Sequence, residues 1–312
     1  MKYLFSIILL WGMHASSTAQ NTTSMKDWAY PYKVKTVVVK DSLEIAYVSA
    51  GEGEKTLLFV HGLGSYLRAW QKNIDVLKKD YRCLALDLPG YGKSADAMGT
   101  QSMDFFSDVL IDFIQQLELK NVTLVGHSMG GQIAVHTALK SSDLLEKLVL
   151  VAPAGFEQFT EKDQVFFKTF VTPSIIKATP VAQIEKNFQL NFYDMPEDAY
   201  FMIEDRLQMR ETEEYERYCE MIPKCVVGML DAPVFERLSE IELPTLVFFG
   251  KNDALIPNKY LHPELTVEKV AESGVAQLKN AQLHFVEEAG HFVQWEGQEV
   301  VNEGIHLFVS QQ

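Results

Sequence analysis

A single serine stands between two glycines in the segment Val122-Thr-Leu-Val-Gly-His-Ser-Met-Gly-Gly131. The apolar residues before it predict a buried strand, and Gln132 to Leu139 after it predict a helix. A sharp turn between a strand and a helix presents a serine hydroxyl as a nucleophile. Gly126 and Gly130 support this interpretation, because such a turn brings backbones too close together for a Cβ atom. Ser128 is therefore the candidate nucleophile.

Two later residues, Asp253 and His291, have the types and positions that would activate this serine. A hydroxyl is a poor nucleophile until a base removes its proton, and the base must be oriented by a carboxylate. After such a turn, the expected order along the chain is serine, acid, histidine. Asp253 follows the apolar run Thr245 to Phe249, and His291 follows the run Leu283 to Val286. We predict Asp253 as the orienting acid and His291 as the base. The histidines predicted to be structural are His136, His262, His284 and His306.

Reaction at a carbonyl carbon also needs two hydrogen-bond donors for the oxygen that becomes negative. One donor is expected to be the backbone N–H of Met129, directly after the nucleophile. The other should come from the loop His61-Gly62-Leu63-Gly64-Ser65, which follows the apolar run Thr56 to Val60. Two glycines let this backbone fold toward the serine, and we assign the second donor to Leu63 N–H. His61 is predicted to brace the loop.

The elements that must position these residues alternate between strands and helices from residue 35 onward. The runs from Thr56 onward are continuously apolar, as in strands buried on both faces of a parallel sheet. The first two runs alternate more and predict an antiparallel hairpin at one edge. Met103 to Leu117 places Phe106, Leu110 and Phe113 on one helical face. The pattern predicts an α/β fold, with a mostly parallel, wound eight-stranded sheet flanked by helices. The predicted strands are Thr36 to Val39, Leu43 to Ser49, Thr56 to Val60, Cys83 to Leu86, Val122 to Val125, Leu148 to Val151, Thr245 to Phe249 and Leu283 to Val286.

The alternation stops between Ala152 and Pro244, where no strong strand-like run occurs. This stretch has a helical character and contains many Phe and Met residues. Residues 156–243 contain 18 Asp+Glu and 9 Lys+Arg, so they carry most of the formal net charge of -14. We predict an inserted helical lid at 156–243, which divides the core into residues 20–155 and 244–312.

The composition limits the classes of protein to consider. With 312 residues, the chain is long enough for two average domains or one large α/β domain. Hydrophobic residues make up 47% and charged residues 22%, as in ordinary globular proteins. The formal net charge of -14 disfavours nucleic acid and anionic lipid headgroups as partners. We expect a small-molecule substrate, with no metal and no organic cofactor.

The first residues have the pattern of an export signal. Lys2 is followed by an apolar run of 11 residues from Tyr3 to Met13, and then by the small residues Ser17-Thr18-Ala19. The run is far shorter than the ~20 residues that cross a bilayer. We predict a signal peptide at residues 1–19 and an extracytoplasmic protein, periplasmic or secreted, with no membrane anchor after cleavage. The alternative is an uncleaved N-terminal anchor or a disordered tail.

The three cysteines, Cys83, Cys219 and Cys225, are too few for a disulfide framework. Cys83 lies in an apolar run and is predicted to be a small buried side chain. Cys219 and Cys225 would be about 9 Å apart in an unbroken helix, which is too far for a bridge. Pro223 between them predicts a break in that helix, so a disulfide between the two cysteines stays open.

Several motifs together resemble the α/β-hydrolases that have a serine nucleophile and a lid, over residues 35–310. Besides the serine turn, they are His61-Gly62, Asp87-Leu-Pro-Gly-Tyr-Gly-Lys-Ser94, Gly250-Lys-Asn-Asp253 and Gly290-His291. The resemblance implies Ser128, Asp253 and His291 as a catalytic triad and residues 156–243 as the lid. Dehalogenases and epoxide hydrolases of this fold have Asp in place of the serine, so they are excluded. We expect hydrolysis of carboxylic esters of small apolar groups through an acyl-enzyme.

Two segments, His291 to Glu296 and Gln189 to Asp194, also resemble the C–C bond hydrolases that cleave vinylogous diketone acids. In that family a lid arginine binds the substrate carboxylate, and the spacing maps it to Arg206. Phe292 replaces that family's usual tryptophan after the histidine, and His127 replaces its usual asparagine before the serine. Arg206 and Phe292 are therefore candidate substrate-binding residues, and C–C bond hydrolysis is the alternative activity.

Two further interpretations stay open in the sequence. Under the ester interpretation, Arg206 is expected to be a surface residue paired with an acidic neighbour such as Glu213 or Asp205. The whole protein could instead be a small-molecule receptor on a hydrolase scaffold, with slow or absent turnover. Stabilisation by a ligand without product release would identify such a receptor.

Overall fold

A computed structural model describes residues 24–311, and the predicted signal peptide lies outside them. Eight strands form one sheet: β1 (Val34–Val39), β2 (Leu43–Ala50), β3 (Thr56–Val60), β4 (Arg82–Leu86), β5 (Val122–His127), β6 (Leu145–Val151), β7 (Thr245–Gly250) and β8 (Ala281–Val286). Their order across the sheet is β1-β2-β4-β3-β5-β6-β7-β8. β2 is antiparallel to β1 and β4, and the other neighbours are parallel. The predicted mostly parallel sheet with an antiparallel edge hairpin is confirmed.

The burial of the strands follows their position in the sheet. β3, β5 and β7 are buried along their whole length, as their continuous apolar runs predict. β8 forms one edge of the sheet, and only Val286 in it is fully buried. The expectation that Leu283 to Val286 is buried on both faces is therefore wrong, because the helical layers cover the sheet edge less than its centre.

Helices lie on both faces of the sheet and above it. They are α1 (Gln71–Leu77), α2 (Met103–Gln116), α3 (Met129–Lys140), α4 (Glu161–Phe170), α5 (Pro173–Ala178), α6 (Val181–Gln189), α7 (Phe201–Met209), α8 (Tyr215–Asp231), α9 (Val267–Val275), α10 (Val293–Glu296) and α11 (Gln298–Ser310). α2 packs against α3, and α1 packs against α11. The apolar face of α2 is fully buried at Phe106, Leu110 and Phe113, as its spacing predicts.

Helices α4 to α8 all lie between β6 and β7, inside the stretch predicted as a lid. They differ in how they are held. α8 has buried residues along its length, whereas α4, α5 and α6 have none. The first three helices of the insertion therefore contact the rest of the protein only through side chains that remain partly exposed. Within residues 24–311, no helix combines the length and the apolarity needed to cross a bilayer.

Pro223 lies inside α8, which continues through it. The predicted helix break is therefore wrong. Proline removes one backbone hydrogen bond, but α8 packs against α4, α5 and α2, and such packing overrides local propensity. Cys219 and Cys225 lie on the same unbroken helix, and all three cysteines are free and buried. The disulfide that the sequence left open is absent.

Candidate active site

Ser128 occupies the turn between β5 and α3 with a strained backbone. Its φ of 53° and ψ of -118° lie in a region that non-glycine residues rarely adopt. Its N–H donates to the carbonyl of Val151 at 3.0 Å, and its carbonyl accepts from the N–H of Ala154, also at 3.0 Å. A Cβ at Gly126 would lie 2.3 Å from the carbonyl oxygen of Gly130. The glycine is therefore required for the turn to close.

Asp253 and His291 lie together after the last two strands. His291 Nδ1 is 2.8 Å from Asp253 Oδ2, and both side chains are almost fully buried. Asp253 Oδ1 accepts the backbone N–H groups of Leu255 at 2.8 Å and Ile256 at 3.0 Å, which fixes the carboxylate. A carboxylate only accepts, so Nδ1 carries a proton, and in the neutral form of the ring the lone pair is therefore on Nε2. This is the protonation that a general base requires.

Ser128 and His291 line the same cavity. Within residues 24–311, neither Ser128 Oγ nor His291 Nε2 has a hydrogen-bond partner. In active sites without a bound ligand, catalytic hydrogen bonds are often long and shorten only when the substrate binds. The structure therefore brings all three predicted triad positions to one site, with the acid and base in contact.

The loop after β3 passes directly beside Ser128. A Cβ at Gly62 would lie 3.0 Å from Ser128 Cβ. In the described part of the chain, the backbone N–H groups of Leu63 and Met129 donate to no protein acceptor. Leu63 lines the cavity, and Met129 begins α3. Both positions match those predicted for the two donors to a developing oxyanion.

His61 holds this loop from inside the core. The N–H of Leu88 donates to His61 Nε2 at 3.0 Å, so Nδ1 carries the proton and donates to the carbonyl of Gly62 at 2.9 Å. The ring is fully buried, and burial lowers its pKa to about 4. A neutral ring with both nitrogens used is a structural brace, in agreement with the sequence prediction.

His127, the residue before Ser128, contacts His291. Its Nε2 lies 2.9 Å from the backbone carbonyl of His291, and the two rings are 4.8 Å apart. Burial, followed by the neighbouring His291, holds the pKa of His127 well below its ordinary value. In the sequence, His127 stands out only as a departure from a family pattern, which does not predict this contact. No rule based on residue spacing predicts a hydrogen bond to the backbone carbonyl of a residue so distant in the sequence.

The main cavity has a volume of about 540 Å³ and lies between the sheet edge and the lid. This volume is typical of sites for small organic ligands. Its walls are mostly apolar, and its polar contributors include Gln132, Glu157 and Asn191. Apolar side chains from the lid and the core include Phe159, Phe167, Val226, Leu230, Phe235 and Ile256. Such walls suit a substrate that is largely uncharged.

A second cavity of about 260 Å³ adjoins the first and contains two arginines, Arg206 and Arg210. Leu63, Asn191 and Phe292 line both cavities. Arg206 donates to the carbonyl of Gly64, and its guanidinium lies 4.8 Å from the ring centre of Tyr218.

No acidic side chain in the described residues pairs with Arg206. The expected pairing of Arg206 with Glu213 or Asp205 is therefore wrong. Asp205 instead binds Arg68, at 3.1 Å, and the hydroxyl of Tyr66. The reason is that Arg206 points toward the loop after β3, where it meets a carbonyl and rings.

Glu296 connects the loop that carries His291 to the inserted segment between β6 and β7. Its carboxylate accepts the N–H of Gly290 at 2.7 Å, of Tyr193 at 2.9 Å and of Asp194 at 3.0 Å. Phe292 N–H donates to the lid carbonyl of Asn191 at 2.9 Å. The position of His291 is therefore coupled to the position of the lid.

A second buried carboxylate, Glu157, lines the main cavity. It accepts the N–H of Asn258 at 2.9 Å and contacts His262 Nδ1 at 2.6 Å. Burial raises the pKa of Glu157. Burial of the ring lowers the pKa of His262, but its bonds to Glu157 and Asp163 outweigh this and raise it above 6.5. The pair joins the start of the lid to the loop after β7.

Within residues 24–311, no group of three or more His, Cys, Asp or Glu side chains forms a candidate metal site.

The sheet order, the serine turn and the paired acid and histidine define the α/β-hydrolase class. Over residues 55–298, the chain matches the family described as alpha/beta hydrolase fold, and it belongs to that family. The chain is 27% identical, over 278 residues, to the 2-hydroxy-6-oxononadienedioate/2-hydroxy-6-oxononatrienedioate hydrolase 1 of Pseudomonas putida. The alignment covers 86% of this chain and 92% of that protein.

Two solved structures share the fold. A probable hydrolytic enzyme from Pseudomonas aeruginosa PAO1 superimposes with a TM-score of 0.79 at 22% identity, over 92% of this chain and 96% of that one. An esterase from Exiguobacterium antarcticum superimposes with a TM-score of 0.71 at 20% identity, over 89% of this chain and all of that one, 100%. At these identities the likeness concerns the fold alone. The chain is thus an α/β-hydrolase.

Proposed function

We propose that the protein hydrolyses carboxylic esters of small, largely apolar groups through an acyl-enzyme on Ser128. The observation that carries the proposal is the contact of His291 Nδ1 with Asp253 Oδ2 at 2.8 Å, beside a mostly apolar cavity that also contains Ser128. An oriented neutral imidazole next to a serine is the arrangement that acyl transfer requires. The apolar walls favour neutral esters over charged substrates.

The reaction follows from these positions. Ser128 Oγ attacks the ester carbonyl carbon while its proton moves to His291 Nε2, and the N–H groups of Leu63 and Met129 bind the oxyanion. His291 then gives its proton to the leaving alcohol, which leaves an ester on Ser128. Water attacks this ester with His291 again as base, and the acid and free serine are released. Asp253 keeps Nδ1 protonated throughout.

A turnover screen of the purified protein tests this proposal. The substrates are short and long acyl esters, a lactone, an amide and a vinylogous diketone acid. We expect the highest kcat/KM for esters. Efficient cleavage of the diketone acid with poor ester turnover would contradict the proposal. No turnover of any substrate, together with stabilisation by one of them, would identify a receptor instead.

C–C bond hydrolysis of a diketone acid is the second candidate function, and one observation favours it. Arg206 and Arg210 line a cavity that adjoins the main one, and within residues 24–311 neither forms an ion pair with an acidic side chain. An arginine without a carboxylate partner suits an anionic substrate group. The similarity to the P. putida hydrolase agrees with this candidate. The apolar main cavity and the lid charge favour the ester.

We also propose export of the protein, from the pattern of residues 1–19. The mature chain would then begin near Gln20. N-terminal sequencing of the protein from the producing cells tests this. A chain that keeps Met1 and remains in the cytoplasm would contradict it.

A further inference from the structure

Aromatic side chains of α4, of the segment before it and of the loop after β7 form a continuous row from the main cavity to the protein surface. We call these five residues the aromatic tract: Phe159, Phe167, Phe166, Phe170 and Tyr260. Phe159 and Phe167 line the cavity, with ring centres 5.1 Å apart. Phe167 contacts Phe166 at 5.9 Å. Phe166 in turn contacts Phe170 at 4.8 Å and stacks on Tyr260 at 5.0 Å.

The outer end of the aromatic tract is exposed. Phe170 is 57% exposed and Tyr260 is 78% exposed. The exposure of large apolar side chains to water is unfavourable. A contiguous apolar patch on a protein surface is therefore typical of a binding surface. Because the rings run without interruption into the cavity, a ligand that fills the cavity can continue along them.

Charge distinguishes this part of the lid from the rest. Residues 156–190 contain four acidic and four basic residues, whereas residues 191–243 contain 14 acidic and five basic ones. The net negative charge of the lid therefore lies outside the segment that carries α4. A segment with no net charge and with exposed rings fits an uncharged hydrocarbon better than an ion.

The tract is held in place although α4 has no fully buried residue. Thr160 and Asp163 form a reciprocal cap at the start of α4, and Lys168 pairs with Asp231 of α8 at 3.0 Å. Phe159 stacks on His262 at 5.4 Å. A ligand would therefore meet rings that are already arranged, which lowers the entropy cost of binding.

We propose that the aromatic tract binds a linear hydrocarbon chain of the substrate where that chain leaves the main cavity. The proposal rests on the ester hydrolysis proposed above and extends its substrates from small groups to long-chain esters. The hydrocarbon chain belongs to either the acyl or the alcohol part of the ester, and the experiment below distinguishes these two cases.

The test compares chain lengths in the variant Phe170→Ser/Tyr260→Ser. For each protein, kcat/KM for p-nitrophenyl palmitate is divided by kcat/KM for p-nitrophenyl butyrate. We expect this ratio to be about tenfold lower in the variant than in the wild type, because the variant removes apolar contact area that only a long chain reaches. If the chain is on the alcohol side, the same fall appears with hexadecyl over ethyl butyrate instead. Leu307→Ser, which removes a side chain of matching exposure (56%) on α11, should leave both ratios unchanged. Unchanged ratios in the tract variant, in both series, would overturn the proposal.

Binding gives a readout that does not depend on turnover. In a Ser128→Ala background, a long-chain polyene methyl ester whose fluorescence rises in apolar surroundings should bind about tenfold more weakly after the tract substitutions. If no ester is hydrolysed but this binding depends on the tract, the ester function fails and the tract proposal stands. Equal binding with and without the tract residues would overturn it. A wild-type dimer that the substitutions convert to a monomer, with unchanged binding, would also overturn it, because the rings would then be an interface between copies.

Discussion

His127 Nε2–H donates a hydrogen bond to the backbone carbonyl of His291 at 2.9 Å, so the residue before Ser128 is joined directly to the proposed base. The carbonyl can only accept, so Nε2 carries the proton, and the lowered pKa keeps the ring neutral. His127 Nδ1 is buried and has no partner in the described part of the chain. The bond fixes the loop of the base against the end of β5, where Ser128 follows.

Loss of this bond should slow chemistry more than it weakens binding. We expect His127→Ala to lower kcat by about tenfold to a hundredfold with little change in KM, because small misplacements of a catalytic group have effects of this size. His127→Asn, which keeps a donor, should recover part of the loss. Steady-state kinetics on both variants, with circular dichroism to confirm folding, measure this. An alanine variant with wild-type kcat would show that the bond does not position His291.

Removal of the charge that orients the base should nearly abolish turnover. Asp253→Asn keeps the shape but permits the wrong tautomer of His291, a change that costs roughly 10⁴ in kcat in trypsin-type triads. Asp143→Asn, at an exposed carboxylate, is the control and should retain full activity. Ester kinetics on the two variants are compared. Full activity of Asp253→Asn would mean that another carboxylate orients the base.

Arg206 separates the two candidate reactions. If neutral esters are the substrates, Arg206→Gln should change their kcat/KM by less than about threefold, because they carry no charge for the guanidinium to bind. If an anionic diketone acid is the substrate, the same variant should lose about a hundredfold on it. Arg217→Gln, on a surface ion pair with Asp96, controls for the loss of charge. A large Arg206 effect, with efficient wild-type cleavage of the diketone acid, would replace the ester proposal.

The pair of His262 and Glu157 predicts a pH dependence of stability. The folded-state pKa of His262 is raised above 6.5, so the stability it contributes is present below that pH and is lost as the pH rises through the higher folded value. The Tm of the wild type should exceed that of His262→Gln by more at about pH 6 than at about pH 9. Thermal unfolding of both proteins at the two pH values measures this. A Tm difference that is the same at both pH values would contradict the assigned shift.

Local patterns predicted the sheet well, because strands buried at its centre must be continuously apolar. The order of strands along the chain also predicts Ser128, Asp253 and His291, since they follow the carboxyl ends of β5, β7 and β8, respectively. The lid was harder. Pro223 lies inside a helix because the tertiary packing of α8 compensates for the lost hydrogen bond. Local helix propensity gives no information on such packing. Arg206 likewise meets a carbonyl and rings brought together only by the folded lid.

Turnover of a p-nitrophenyl ester by Ser128→Ala tests the central claim most directly. The substitution removes the attacking oxygen and leaves the cavity and the Asp253–His291 pair in place, so the fold and Tm should change little. We predict a loss on the order of 10⁶ in kcat, as for other serine triads. A folded Ser128→Ala protein that retains more than about a tenth of wild-type kcat would contradict the account, because the ester would then be cleaved without Ser128 as the nucleophile.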